Sequence, residues 1–580
     1  MVGVVAENLS NPDGFDVETF AVVVREGLIK EFHSDPAEAV RVLRNRLGGR
    51  LTEAERADLA GLCAAGAGRV ARRNPAGALG LRLAAAEFAW PLAIAKPTTS
   101  VRRRARAIYN HECGAVAEEL FKHPHPGAWP AEFAGPLRTY RLRMPTSGAA
   151  RIDPSFFDTL TRSDRMRITR RRLHLNRHRV EGLGSDLVGY RKWTSQRAAE
   201  NPLLAPSGLA LPLNAVLDFS RGTGQPDLVL RDMTLAPSAI YGGRSQPLSS
   251  DSTAALATLL DHMDVAQPVY GIKSLLFSPE FDKTTGIYQL EPWRPHQIPV
   301  ILVHGLMSSP ATWLAALNEL QADPALQSRY QFLVFRYPTG YPIAYTASVL
   351  RRKLREMKAH IGPRSRDPEF HRMILVGHSM GGVLSDLQIR SSGEEIRKVF
   401  FHEPLDELAL PPDERRRISE IVHFKANPDI RRAVFVTTPH RGSKFAANPI
   451  GNFASRMIHL PVDILTLGMT RLESFDGTTP FARQVRNHGC NGIKALRPDS
   501  PILAATLRMK PGPGVVWHSI IGELVPGMPP QISTDGVVPY WSSHLDDAQS
   551  EKIIVSAHTA VPHDSETIEE LRRILYLHCR

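Results

Sequence analysis

Apolar positions change their period twice along the chain. From Phe15 to Phe32 they fall at Val17, Phe20, Val23, Val24, Leu28 and Phe32, and from Pro36 to Leu47 at Val40, Leu43 and Leu47, the spacing of helices with one buried face. Asp35 ahead of Pro36 predicts an N-cap with proline at the first helical position. Leu51–Val70, Pro75–Trp90 and Val101–Phe121 read in the same way. Such helices bury their stripes only against one another, so residues 1–125 are expected to form a helical bundle or a helical-repeat array, with no repeat period to choose between them.

Over residues 126–285 the pattern becomes β-rich. Tyr140, Leu142 and Met144 alternate with arginines, Leu173 and Leu175 do likewise, and Leu209–Phe219 and Asp227–Met233 read as strands separated by the glycine- and proline-bearing turn Ser220–Pro226. A helix at Thr253–Met263 interrupts them. Holding substrate, binding a partner and covering a sheet edge are all open roles for this region.

From residue 286 to 580 short apolar runs alternate with helical segments. Ile287–Leu290, Ile298–Val303, Phe332–Phe335, Met373–Val376, Ala433–Thr437, Val515–Ile521 and Ile553–Val555 are the expected strands. Ala311–Leu320, Ala344–His360 and Ser565–Leu577 are expected helices. The fold class predicted is therefore α/β, with a mainly parallel sheet and helices on both faces, behind a helical N-terminal region and a β-rich middle. Residues 400–432 and 444–514 are long inserts placed to act as caps. The second carries Ile450, Phe453, Met457, Ile458, Leu460, Val462, Ile464, Leu465 and Leu467, a density that suits a fatty-acyl pocket or lid and equally the underside of a core helix.

Composition narrows the picture. A chain of 580 residues with 43% hydrophobic and 22% charged residues holds several folded domains and is not disordered. The net charge of +12 comes from arginines concentrated at Arg102–Arg106 and Arg162–Arg179. No aromatic residues interleave with them, so nucleic acid is the poorer reading, and a solvated face or a surface meeting anionic membrane lipid is the better one. Cys63, Cys113, Cys490 and Cys579 form no C-x-x-C pair, and neither a metal nor a cofactor is expected. The first sixteen residues lack a signal-peptide pattern, and no run reaches the roughly 18 apolar residues of a membrane span, so the expectation is a cytoplasmic or membrane-peripheral protein.

The candidate chemistry lies at Met373–Val383, MILVGHSMGGV. A buried strand runs into Gly377, His378, Ser379, Met380 and Gly381, and a helix follows. A serine on so sharp a turn needs small neighbours, which Gly377 and Gly381 supply, and it stands at a helix N-terminus that favours developing negative charge. This is a nucleophile elbow. Because G-x-S-x-G also arises by chance, its partners decide. Ile298–Val303 ends in His304, Gly305 and Leu306, which makes the Leu306 N–H the candidate oxyanion donor beside the Met380 N–H. The order serine, acid, histidine expected with this elbow selects Asp535, in STDGVVP, as the acid, although an Asp-Gly pair also suits a plain β-turn. Asp406, Asp463 and Asp476 fit the strand end less well. His558 follows the last strand directly and is the favoured base; His563 is the alternative, with capping or support as its other role. His304, His378, His440 and His518 precede the acid and read as packing or hydrogen-bonding histidines near the site.

Taken together, VHGLMSSPATW at Val303–Trp313, GHSMGG at Gly377–Gly382, TTPHRGS at Thr437–Ser443, HSIIG at His518–Gly522 and DGVVP at Asp535–Pro539 resemble the α/β-hydrolase superfamily. The likeness is to its serine hydrolases of the bacterial lipase and esterase branch, which includes the GPI inositol-deacylase-like lipases. It spans Tyr288–Cys579 and implies hydrolysis of carboxylic or lipid esters through an acyl-enzyme, with Ser379, Asp535 and His558 at the matching positions. Structural calcium occurs among the lipases it resembles. An acyltransferase with the same residues and a non-catalytic binding protein on the same fold are the alternatives.

Overall fold

The structure is a computed structural model that describes residues 17–122, 132–145, 148, 151–166, 175–263, 284–408, 410–444, 479–480, 482 and 494–579. The chain divides into two compact units, one of Met1–Arg171, Asn176–Lys192 and Ala210–Thr258, the other of Arg172–Leu175, Trp193–Leu209 and Leu259–Arg580.

In the first unit the helix expected at Phe15–Phe32 is two helices, α1 (Val17–Arg25) and α2 (Ile29–Ser34). Gly27 between them has φ +63, a left-handed turn that ends the first and costs glycine little. Asp35 caps α3 (Pro36–Leu47) by accepting from Ala37 N at 2.9 Å. A capping box of Thr52 and Glu55 opens α4 (Glu53–Val70). Helix α5 (Pro75–Ala93) runs past Pro91 instead of stopping at Trp90, and α6 is Ser100–Phe121.

A four-stranded sheet follows, in the order β1 (Thr159–Arg162), β2 (Ser185–Arg191), β3 (Leu209–Asp218) and β4 (Asp227–Asp232). Sequence reasoning missed β2 because Ser185–Tyr190 are all buried, so it shows no alternation. The strand expected at Tyr140–Met144 is shorter, Thr139–Arg141, and pairs with Glu132–Ala134. Leu175 is in no strand, and Leu173 lies outside the described residues. The predicted helix at Thr253–Met263 is Ser252–Asp261.

Among the described residues, most arginines of the two clusters have partners within the chain. Arg102 pairs with Glu53 at 2.6 Å, Arg104 with Asp58 at 2.9 Å, Arg162 with Asp164 at 2.8 Å, Arg177 with Asp251 at 2.7 Å and Arg179 with Asp186 at 3.1 Å. Arg106 donates to the Ala93 carbonyl.

The second unit is built on a seven-stranded sheet. Its elements in chain order are β5 (Gly286–Gln289), β6 (Ile298–Val303), β7 (Tyr330–Arg336), α7 (Ile343–Ile361), β8 (Met373–His378), α8 (Met380–Ile389), β9 (Ile430–Val436), β10 (Val516–Glu523), β11 (Ser550–Val555) and α9 (Ser565–His578). The spatial order is β5-β7-β6-β8-β9-β10-β11, with β5 antiparallel to β7 and every other pair parallel. Strands β6 and β8 are buried along their whole length, which is why they read as unbroken apolar runs. Within the first insert Leu405, Leu408, Leu410, Ile418 and Val422 join the same core as β8 and α8. The apolar residues Ile450–Leu467 of the second insert, with Asp463 and Asp476, lie outside the described residues. Among the described residues no helix is long and apolar enough to cross a membrane.

Candidate active site

Ser379 stands between β8 and α8 with φ 54 and ψ −124, a left-handed conformation that a residue with a side chain adopts only under constraint. The constraints are visible. Ser379 N donates to Val436 O on β9 at 2.9 Å, and Gly382 N donates to Ser379 O at 2.9 Å. A Cβ on Gly377 would lie 2.4 Å from Gly381 O, and one on Gly381 would lie 2.4 Å from Val303 O and from His304 O. Only glycine lets strand, turn and helix close on each other here. Gly382 is equally tight, because a Cβ there would overlap the Thr438 hydroxyl.

The elbow serine meets a histidine and an acid. His558 Nε2 lies 3.0 Å from Ser379 Oγ, and His558 Nδ1 lies 2.7 Å from Asp535 Oδ2. All three are buried. The carboxylate of Asp535 divides its work between its two oxygens: Oδ1 accepts from Val537 N at 2.9 Å and Val538 N at 2.7 Å, closing the Asp-Gly turn, while Oδ2 faces the imidazole. One carboxylate thus closes the turn with one oxygen and meets the imidazole with the other. His558 N donates to Asp535 O at 3.0 Å, which ties the two loops together.

The loop after β6 passes directly beside the serine, since a Cβ on Gly305 would lie 2.9 Å from Ser379 Cβ. His304 Nδ1–H donates to the Gly305 carbonyl at 3.0 Å. That carbonyl and the Leu306 N–H belong to one trans peptide and point in opposite directions, so the imidazole sets the direction of the N–H. Burial pushes the His304 pKa down to about 3, keeping the ring neutral. Tyr337 holds it, stacked at 4.4 Å between ring centroids and donating its hydroxyl to His304 O at 2.6 Å. Met307 N is held by Thr339 Oγ1 at 3.2 Å. Met380 opens α8, where the first N–H groups have no acceptor within the helix. Among the described residues neither the Leu306 nor the Met380 N–H has a backbone acceptor.

Comparison of sequences decides the kind of domain: residues 300–571 match the model of the Alpha/beta hydrolase family. This is an α/β-hydrolase domain. No curated protein matches the chain. Solved structures similar to the hydrolase domain include the mature form of the Bacillus licheniformis lipase BlEst2, at 17% identity over 50% of this chain and 97% of that one, with a TM-score of 0.29. EstA from Clostridium botulinum is 12% identical over 53% and 96%, with a TM-score of 0.30. The type II thioesterase BorB from the borrelidin biosynthetic cluster is 17% identical over 50% and 96%, with a TM-score of 0.25.

The other histidines expected near the site separate by position. His378 Nε2–H donates to the His558 carbonyl at 3.1 Å, and their rings lie 5.0 Å apart, so the residue before the serine anchors the loop that carries the partner imidazole. Burial, with His558 close by, holds the His378 pKa well below the ordinary histidine range. His440 packs edge-on against Phe435 at 4.7 Å. His563 makes no hydrogen bond to Ser379; it closes a 3-10 turn, its Nδ1 is buried without a partner, and the capping of α9 falls to Asp564. His518 is not near the site. It is the third residue of β10 and pairs in register with Ser550 at the start of β11, at the amino edge of the sheet, whereas Ser379 stands at the carboxyl edge. Asp406 is exposed. Sequence reasoning missed Tyr337 and Thr339, though both follow a strand at its carboxyl end, where site residues gather in this architecture.

Proposed function

We propose that the hydrolase domain cleaves carboxylic esters through an acyl-enzyme formed on Ser379. The reading rests on one observation above the others: His558 bridges Ser379 Oγ at 3.0 Å and Asp535 Oδ2 at 2.7 Å in a buried site. Ser379 Oγ attacks the ester carbonyl carbon and its proton passes to His558 Nε2. The carbonyl electron pair moves onto oxygen, where the Leu306 and Met380 N–H groups receive it. Collapse of the tetrahedral intermediate breaks the bond to the alcohol, which takes the proton from His558, and water repeats the sequence on the acyl-enzyme. Asp535 orients the imidazole and stabilises its positive charge. An added alcohol in place of water makes the same domain an acyltransferase, and product analysis with acceptor alcohols distinguishes the two.

A lipid ester is the favoured substrate. Between β10 and Asp535 the loop exposes Leu524 (49%), Val525 (54%) and Ile532 (61%), and Met307 is exposed on the loop after β6. These side chains rise from the sheet edge that bears Ser379, and with the chain's net charge of +12 they favour peripheral contact with an anionic membrane. The test is the purified protein and its Ser379→Ala variant, labelled with a fluorophosphonate and assayed on short- and long-chain esters. We expect labelling to vanish and turnover to fall about 10⁴- to 10⁶-fold in the variant, with the parent protein faster on long chains. Labelling that survives Ser379→Ala removes the nucleophile, and a preference for acetate and butyrate esters removes the lipid reading.

A further inference from the structure

The hydrolase domain holds a cavity of about 400 Å³, walled by α7 and by the stretch 420–429 that leads into β9. Met373 N, at the start of β8, donates to Asp429 O at 2.9 Å, so this wall belongs to the amino edge of the sheet, a strand's length from Ser379. Arg351 lines the cavity and is only 7% exposed. Its guanidinium lies 3.7 Å from the centroid of the Phe424 ring, and Nη1 donates to Leu387 O at 3.4 Å. Nη2 is buried with no hydrogen-bond partner.

No carboxylate neutralises this arginine among the described residues. Of the two acids in the wall, Asp429 accepts from Lys358 Nζ at 2.7 Å and lies 2.6 Å from His371 Nδ1, and Glu420 is exposed. Two further cations, Arg355 and Lys425, stand exposed in the same wall without an ion-pair partner among the described residues. Burying an unpaired guanidinium is costly, and an arrangement that does so while gathering more cations around a cavity is matched to an anion. Consistent with that, burial and the neighbouring Arg355 lower the Arg351 pKa to about 9. Four cationic side chains face two carboxylates, an excess that suits a dianion, and the planar fork of arginine suits an oxyanion. The volume lies within the range of small-ligand clefts, about 300–1,000 Å³, and exceeds what a bare oxyanion fills.

We propose that this cavity binds an organic phosphomonoester, its phosphate received by Arg351, Arg355 and Lys425 and its organic part by Leu354, Phe424 and Pro428. A soluble phosphomonoester and a phosphatidate headgroup share that chemistry. The experiment is calorimetric titration of the full-length protein with phenyl phosphate, against chloride at equal ionic strength. Beside it runs co-sedimentation with phosphatidylcholine vesicles carrying phosphatidic acid or none. The variants are Arg351→Met and the exposed pair Arg355→Gln/Lys425→Gln, which tests the site even if the buried substitution does not fold. Saturable phenyl phosphate binding weakened at least about tenfold by the paired variant, with fluorophosphonate labelling of Ser379 unchanged, supports a soluble ligand. Binding confined to phosphatidate vesicles with the same sensitivity supports the headgroup. Absence of saturable binding to either probe, or binding that the paired variant leaves unmoved, overturns the proposal.

Discussion

The two edges of the seven-stranded sheet carry similar residue types and very different arrangements. At the amino edge Arg432 donates through Nε to His578 Nδ1 at 3.0 Å and through Nη1 to Gln549 Oε1 at 2.8 Å and to His518 Nε2, while His518 Nδ1 meets Ser550 Oγ at 2.7 Å. There the histidines accept from arginine, their pKa values are lowered by burial to about 3 for His518 and about 4 for His578, and the groups gathered around Arg432 are matched donor to acceptor. At the carboxyl edge the histidines face a hydroxyl, a carboxylate and backbone carbonyls, beside a strained serine and N–H groups that no backbone carbonyl among the described residues takes. Buried histidines alone therefore do not mark a reactive site. What sets the carboxyl edge apart is a strained serine in front of a histidine, beside N–H groups that lack a backbone acceptor among the described residues.

Substitutions that act on one edge and spare the other break or sharpen this contrast. The largest effect is expected from His558→Ala, a loss of about 10⁴- to 10⁶-fold in kcat with the urea midpoint little changed. His563→Ala is expected to cost far less, and a greater loss there in steady-state assays transfers the base to His563. Next comes His304→Ala, which frees the Gly305 carbonyl and lets the Leu306 N–H turn. A fall of about 10²-fold in kcat at nearly constant KM is expected, with partial rescue by His304→Asn, whose amide can still donate. Equal changes in KM and kcat, without rescue, reduce His304 to packing.

At the other edge Arg432→Met removes one donor group from three acceptors. It is expected to lower unfolding free energy by about 1–3 kcal/mol while fluorophosphonate labelling proceeds at the parent rate; slower labelling at full occupancy of the fold erases the distinction between the edges. The last contrast is one of pH. His304 and His378 have folded pKa values below the unfolded value, so the unfolded chain binds protons that the native state refuses, and stability is present in full above the ordinary histidine range and is lost as pH falls beneath it. Each is expected to contribute up to about 1.4 kcal/mol per pH unit between about pH 6.5 and its folded pKa, measured as urea midpoints from pH 7 to pH 5. Replacing His378 by Gln should flatten that slope.

Local sequence rules reached the hydrolase strands within a few residues, because strands buried on both faces leave apolar runs that need no partner to be seen. They failed where a turn depended on one glycine, as at Gly27, or where burial hid the alternation, as in Ser185–Tyr190. The elbow itself was legible, since the steric demand that makes Gly377 and Gly381 glycines is local to strand, turn and helix. So was the Asp-Gly turn at Asp535.

The sequence by itself thus determined the strand series, the strained serine and the order in which an acid and a histidine follow it. Only the tertiary structure decided that His558 and not His563 faces Ser379, that His378 and His304 hold loops in place, and that His518 belongs to the opposite edge. The physical reason is distance along the chain. Asp535 and His558 lie far from Ser379 in sequence and meet it only because parallel register brings the carboxyl ends of β8, β10 and β11 to one edge, and register is a property of paired strands that no single strand encodes.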